Sequence, residues 1–150
     1  MIPDPGFYDN GILIVTGSRL RAEQADRPLA YQLQEAIADC MEGDEFGDCS
    51  HNIIVMSDLW YLNSEPLHKI PTISLGGPGV NAASARFYRL LPAALVVDNQ
   101  YLIQMDLEGK DLRGSIWGYT HETTVNALNT FINNGYLEQF LNTVLERSEF

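Results

Sequence analysis

Long hydrophobic runs are missing from this chain: no stretch of about 18 consecutive apolar residues occurs, so a membrane-spanning helix is not expected. Cationic side chains are also scarce. Nine Lys and Arg stand against twenty Asp and Glu, a formal charge of −11. A field of that sign repels phosphate polymers and anionic bilayers, so neither nucleic acid nor a membrane surface is an expected partner. Cysteine and histidine, the usual zinc ligands, are few. Cys40 and Cys49 are the only cysteines, and His51, His68 and His121 are scattered without a His-X-X-X-His pair. They cannot supply the ligand set and spacing of a zinc site, so no metal is expected, and the cysteines read as two thiols or one loop-closing disulfide. The opening Met1-Ile-Pro-Asp-Pro-Gly-Phe-Tyr8 has neither a basic region nor an apolar core, and no Asn-X-Ser/Thr sequon occurs. The expected location is cytoplasmic. Internal repeats and low-complexity segments are absent as well.

At 150 residues and 45% apolar content, the chain is long enough for one core and too short for two ordinary domains. Residues 1–150 therefore read as a single α/β domain. Gly11–Thr16 is a continuous apolar run bounded by glycines, the pattern of a strand covered on both faces. Asn52–Ser57 and Ile70–Leu75 read the same way. Between them, Pro28 opens a helix along which Leu29, Leu33, Ala36 and Ile37 recur at helical spacing. Residues 39–50, with five acids and two glycines, break the periodicity and read as an acidic surface loop.

Farther on, Ala94–Val97 and Tyr101–Met105 flank a connection short enough for a hairpin, and Arg113–Trp117 supplies a further strand before a helix capped by Thr120. The C-terminal part carries Val125, Leu128 and Ile132, pauses at Asn133-Asn-Gly135, then resumes with Leu137, Phe140, Leu141, Val144 and Leu145. Two helices follow, the second over 136–147, with a left-handed residue between them. The expected fold is a three-layer, Rossmann-like α/β sandwich with a mostly parallel sheet and an added β-hairpin.

The most informative segment is Thr72-Ile-Ser-Leu-Gly-Gly-Pro-Gly-Val-Asn81 and the helix that follows it: a strand, a tight turn and a helix start. Backbone N–H groups at such a glycine-rich loop form a natural site for an anion or polar ligand. A second strand end, Thr16-Gly-Ser-Arg19, shares its sheet edge if both strands are parallel, and that edge is where open α/β sheets bind ligands. Five of the nine cations, Arg19, Arg21, Arg27, Arg86 and Arg89, follow these two turns. The alternative is structural throughout. Glycine satisfies backbone geometry, Asn81 caps a helix, and Glu23 and Asp26 neutralise the first arginines.

Catalytic signatures are not met. Gly76-Gly-Pro-Gly79 is neither a dinucleotide fingerprint nor a phosphate-binding loop ending in Gly-Lys-Ser/Thr, so a standard NAD or ATP site is not indicated and the cofactor stays unknown. Ser18 has a sharp-turn context without a recognisable base. Asp58 ends a strand beside Trp60 and Tyr61 and could orient a polar ligand. His121 lies beside Glu122 at a helix start near the same edge. The candidate ligand-binding residues are Gly17, Ser18, Arg19, Asp58, Gly76, Gly77, Gly79, Asn81 and His121.

Gly-Gly-Pro-X-X-Asn at 76–81, the hairpin-like segment, and Gly118 with Thr124 and Ala127 on the next helix together resemble a module of archaeal surface-layer and related surface proteins, over about residues 70–132. The resemblance implies a small α/β structural domain with an interaction role. Val15-Thr-Gly-Ser-Arg19 is similar to the opening of Rossmann-like nucleotide-sensing proteins of the lysine-decarboxylase-like superfamily; where their second motif has Gly-Gly-X-Gly-Thr, this chain has Val80 and Asn81.

The expectation is thus a domain that binds a small polar or anionic ligand, or a protein partner, at the glycine-rich strand ends. One alternative is a hydrolase or transferase acting on a nucleotide-like substrate through Ser18, Asp58 or His121. Another is a homodimeric assembly module.

Overall fold

The computed structural model describes residues 11–41 and 52–148. Cys49, His51 and the acidic stretch from Glu42 to Ser50 lie outside them. Six strands form one sheet: β1 (Gly11–Thr16), β2 (Asn52–Ser57), β3 (Thr72–Leu75), β4 (Ala93–Val97), β5 (Tyr101–Asp106) and β6 (Arg113–Gly118), in the order β2-β1-β3-β6-β5-β4. The helices among the described residues are α1 (Leu20–Ala25), α2 (Arg27–Met41), α3 (Asp58–Leu62), α4 (Ala82–Leu90), α5 (His121–Asn133) and α6 (Tyr136–Ser148), with a 3-10 turn at Glu65–Lys69.

The sheet is mixed rather than mostly parallel. β1 pairs in parallel with β2 and β3, and β3 with β6, but β4–β5 and β5–β6 are antiparallel. The cause is local. A three-residue turn joins β4 to β5, and so short a link permits only an antiparallel pair. Asn99 takes a left-handed φ of 62° in that turn, a conformation asparagine tolerates better than most residues.

Every residue of β1 is buried, as its uninterrupted apolar run requires. Ile12 and Ile14 face one side, where they join Leu33 and Ile37 of α2, Phe131 of α5, and Phe140 and Leu141 of α6. Leu13 and Val15 face the other, with Tyr61, Ala83 and Phe87 from α3 and α4. Helices therefore cover both faces, and alternation along one strand feeds two cores.

Several boundaries differ from the sequence reading. Asp39, Cys40 and Met41 complete α2 instead of opening the acidic loop, because Ile37 and Met41 continue its buried stripe. Ile70 ends the 3-10 turn, and Pro71, which has no N–H to give, precedes β3. The segment after β1 folds as the short helix α1, and Asp58–Leu62 as α3, with Ser57 accepting from Trp60 N. At Gly135, φ is 92°, the left-handed residue expected between α5 and α6. No helix among the described residues is long and apolar enough to cross a membrane.

Leu137, Phe140, Leu141 and Val144 of α6 all enter the larger core, so this stripe packs within the same chain. Leu141→Ala is expected to lower unfolding free energy by about 2–5 kcal/mol through lost transfer energy and a residual cavity. Urea denaturation at two protein concentrations checks it: the loss should be the same at both.

Candidate functional site

The chain leaves β1 toward β2 on one side and later returns to β3 on the other, which puts a topological switch point between the C-terminal ends of β1 and β3. Gly17 and the Gly76–Asn81 turn both follow parallel strands there, so they share one edge of the sheet. The crevice between them is filled by protein. A Cβ on Gly17 would stand 1.9 Å from the carbonyl oxygen of Val80, so the residue is glycine because backbone lies against it.

Asn81 closes the same gap. Its buried amide donates from Nδ2 to Val15 O and Leu75 O, both at 3.0 Å, while Oδ1 accepts from Ala83 N at 2.9 Å and Ser84 N at 3.2 Å. Asp58, also buried, accepts from Leu59 N and Ala82 N, each at 2.8 Å. The first three N–H groups of α4 are thus all consumed by side chains, and the helix start offers an anion nothing. In the turn itself, Gly76 N, Val80 N and Asn81 N donate to backbone carbonyls. The N–H groups of Gly77 and Gly79 are left without an acceptor among the described residues.

The open space lies one strand farther across. A cleft of about 550 Å³ runs between the glycine turn (Gly77–Val80), α1 with Asp26 behind it, and the β6–α5 connection from Trp117 to His121. Thr120 caps α5, accepting from Thr123 N at 3.1 Å, and Thr124 Oγ1 accepts from Gly118 N at 3.0 Å. Gly118 is obligatory in this corner: a Cβ would fall 2.4 Å from backbone atoms of Thr123 and Thr124.

Asp26 is the residue that sequence reading missed as a site group. It is only 7% exposed, and its side chain makes no hydrogen bond or ion pair among the described residues. Its carboxylate lies against Gly76, whose φ of 108° already favours glycine; a Cβ there would sit 2.6 Å from Asp26 Oδ2. Burial pushes the Asp26 carboxyl above the usual carboxylate range, and the charge of His121 opposes that shift in part. The sequence showed only an acid among arginines. Yet Arg27 pairs with Glu23 at 3.3 Å, leaving Asp26 outside the ion pair.

Of the predicted residues, Gly77, Gly79 and His121 line the cleft, and Gly76 stands behind it against Asp26. Gly17, Asp58 and Asn81 instead hold the strand ends together, and Ser18 and Arg19 are not among the lining residues. Among the five arginines only Arg21 reaches the cleft; Arg86 and Arg89 are exposed on α4. His68 is structural, with Nε2 2.8 Å from Tyr61 O. No group of three or more His, Cys, Asp or Glu side chains among the described residues is arranged to hold a metal. The chain matches no protein-family model, no curated protein and no solved structure.

The buried acid gives a signed expectation. In the unfolded chain Asp26 titrates near 3.8, and in the folded chain higher. Below the lower value both states hold the proton and burial carries no charge penalty. As pH rises from there through the folded value, the unfolded chain ionises first and stability falls. Asp26→Asn removes that fall. The variant should therefore be more stable than the parent at neutral pH, with the gain vanishing in acid, as read from urea midpoints across pH; a variant less stable at neutral pH would contradict it.

Proposed function

We propose that this Rossmann-like, three-layer domain is a cytoplasmic binding protein for a small anionic ligand, seated in the cleft between the glycine turn and the start of α5. The observation that carries the reading is the buried, unpaired Asp26 carboxyl at the wall of a cleft that also holds Arg21 and His121. A carboxyl largely desolvated without a charged partner is costly, and acids perturbed in that way cluster at functional sites. Its raised pKa eases proton uptake when an anion approaches, and a protonated Asp26 donates a hydrogen bond to a ligand oxygen. Arg21 supplies positive charge, His121 a ring nitrogen for hydrogen bonding, and the N–H groups of Gly77 and Gly79 two backbone donors. A carboxylate or phosphate group matches this set.

The reading as a hydrolase or transferase for a nucleotide-like substrate draws on one observation, the electrostatic coupling between Asp26 and His121, which would pair an acid with a base. Release of phosphate from a nucleotide by the parent protein, and its loss in Asp26→Asn, would favour it.

Thermal-shift titrations with inorganic phosphate and citrate at low ionic strength test the binding reading. Arg21→Ala should weaken the response by about three- to tenfold and Arg19→Ala should leave it nearly unchanged, with the difference shrinking as salt is added. An absent response to either anion, or equal losses in the two variants, would overturn the proposal.

A further inference from the structure

A second cleft, of about 610 Å³, opens on the face of the sheet that α4 leaves uncovered. Leu102 pairs with Val96 on one side and Trp117 on the other, so the three side chains form a row across β4, β5 and β6 on one face. Gln104 lies on the same face two residues along β5, diagonal to Trp117. Tyr88 from α4 and Tyr119 after β6 complete an aromatic wall: ring centroids are 6.1 Å apart for Tyr88 and Trp117, and 5.3 Å for Trp117 and Tyr119.

Two polar atoms at this cleft have no hydrogen-bond partner, Trp117 Nε1 and Gln104 Oε1, and their residues are only 8% and 4% exposed. The amide of Gln104 is oriented by its own bonds. Nε2 donates to Leu91 O at 2.8 Å and to Tyr88 O at 3.3 Å, and two carbonyl partners demand the nitrogen there, so the oxygen is the atom left over. On Trp117, the Cε3 edge lies toward Gly77, which puts Nε1 on the far side of the ring from the glycine turn. One donor and one acceptor are therefore unpaired on diagonal neighbours, a separation of about 7 Å between β-carbons. A planar ring whose N–H and C=O share one edge presents the complement of this pair, an acceptor for the indole N–H and a donor for the amide oxygen. Asp98 is the one charged side chain among the lining residues, so nothing here favours an anion.

We propose that this cleft binds a neutral planar heterocycle through a lactam edge, its N–H donating to Gln104 Oε1 and its C=O accepting from Trp117 Nε1, with the ring held among Tyr88, Trp117 and Tyr119. Apart from Trp117 and Tyr119, none of the residues at this cleft lines the first one, so the proposal stands or falls separately from the anion site.

The sequence has two tryptophans, and Trp60→Phe leaves Trp117 as the sole indole emitter. Titrating that variant with uracil should quench its fluorescence saturably. The control 1,3-dimethyluracil, which keeps the ring and loses both N–H donors, should bind about tenfold more weakly or worse. Tyr119→Ala, at a side chain 67% exposed, should fold and weaken uracil binding. Gln104→Leu should abolish the preference for uracil over its dimethyl analogue, and Asp26→Asn should leave uracil binding unchanged. Equal binding of the two ligands, binding of toluene in preference to both, or quenching that tracks dimer formation in light scattering would overturn the proposal.

Discussion

One carboxamide holds the centre of this molecule together. Asn81 bonds carbonyls near the ends of two adjacent strands with its nitrogen and caps α4 with its oxygen, so β1, β3 and α4 meet at a single buried side chain. Everything at the strand edge is arranged around that junction. Val80 is pulled down onto Gly17, Asp58 takes the remaining N–H at the start of α4, and the glycine turn, with the N–H groups of Gly77 and Gly79 unpaired among the described residues, lines the next gap in the sheet. The geometry that shuts the switch-point crevice between β1 and β3 is thus the geometry that defines the open cleft between β3, β6 and α1.

The division between what the sequence disclosed and what it concealed follows the range of the interactions. β1, β2 and the hairpin were legible because an apolar run or a three-residue turn writes its state locally, although β2 stands at the sheet edge with Ile53, Ile54 and Val55 only partly buried. Neither α1 nor α3 has enough length to show a period: Leu20 is exposed at the head of one and Leu59 and Trp60 lie outward on the other. Strand order left no local mark. Nothing in Arg113–Gly118 indicates that it sits between β3 and β5 instead of at an edge, and that placement adds the β5–β6 antiparallel pair to the hairpin's own.

The same logic sorts the site residues. Glycines and polar side chains at strand ends marked the correct edge, yet residue type alone does not separate a ligand donor from a clamp. Asn81 and Asp58 have the chemistry of ligand-binding groups and spend it on backbone N–H groups of α4. Asp26 has the chemistry of a surface acid and is buried, because α1 lays it against Gly76, fifty residues away in sequence. Trp117 and Gln104 looked like ordinary strand residues; only the uncovered face beside α4 makes their unpaired atoms informative.

The bond from Asn81 to Val15 also closes a chain loop of 66 residues. By contrast, β4, β5 and β6 form a meander between residues 93 and 118, whose pairings are all close in sequence. Loop-closure entropy makes distant contacts wait for near ones, so a folding chain gains the antiparallel half of the sheet cheaply and reaches the Asn81 junction only when β1 has docked. The strand edge that carries the candidate anion site is assembled from segments distant in sequence, and a nascent chain has no such site until residues from both ends of that loop have met.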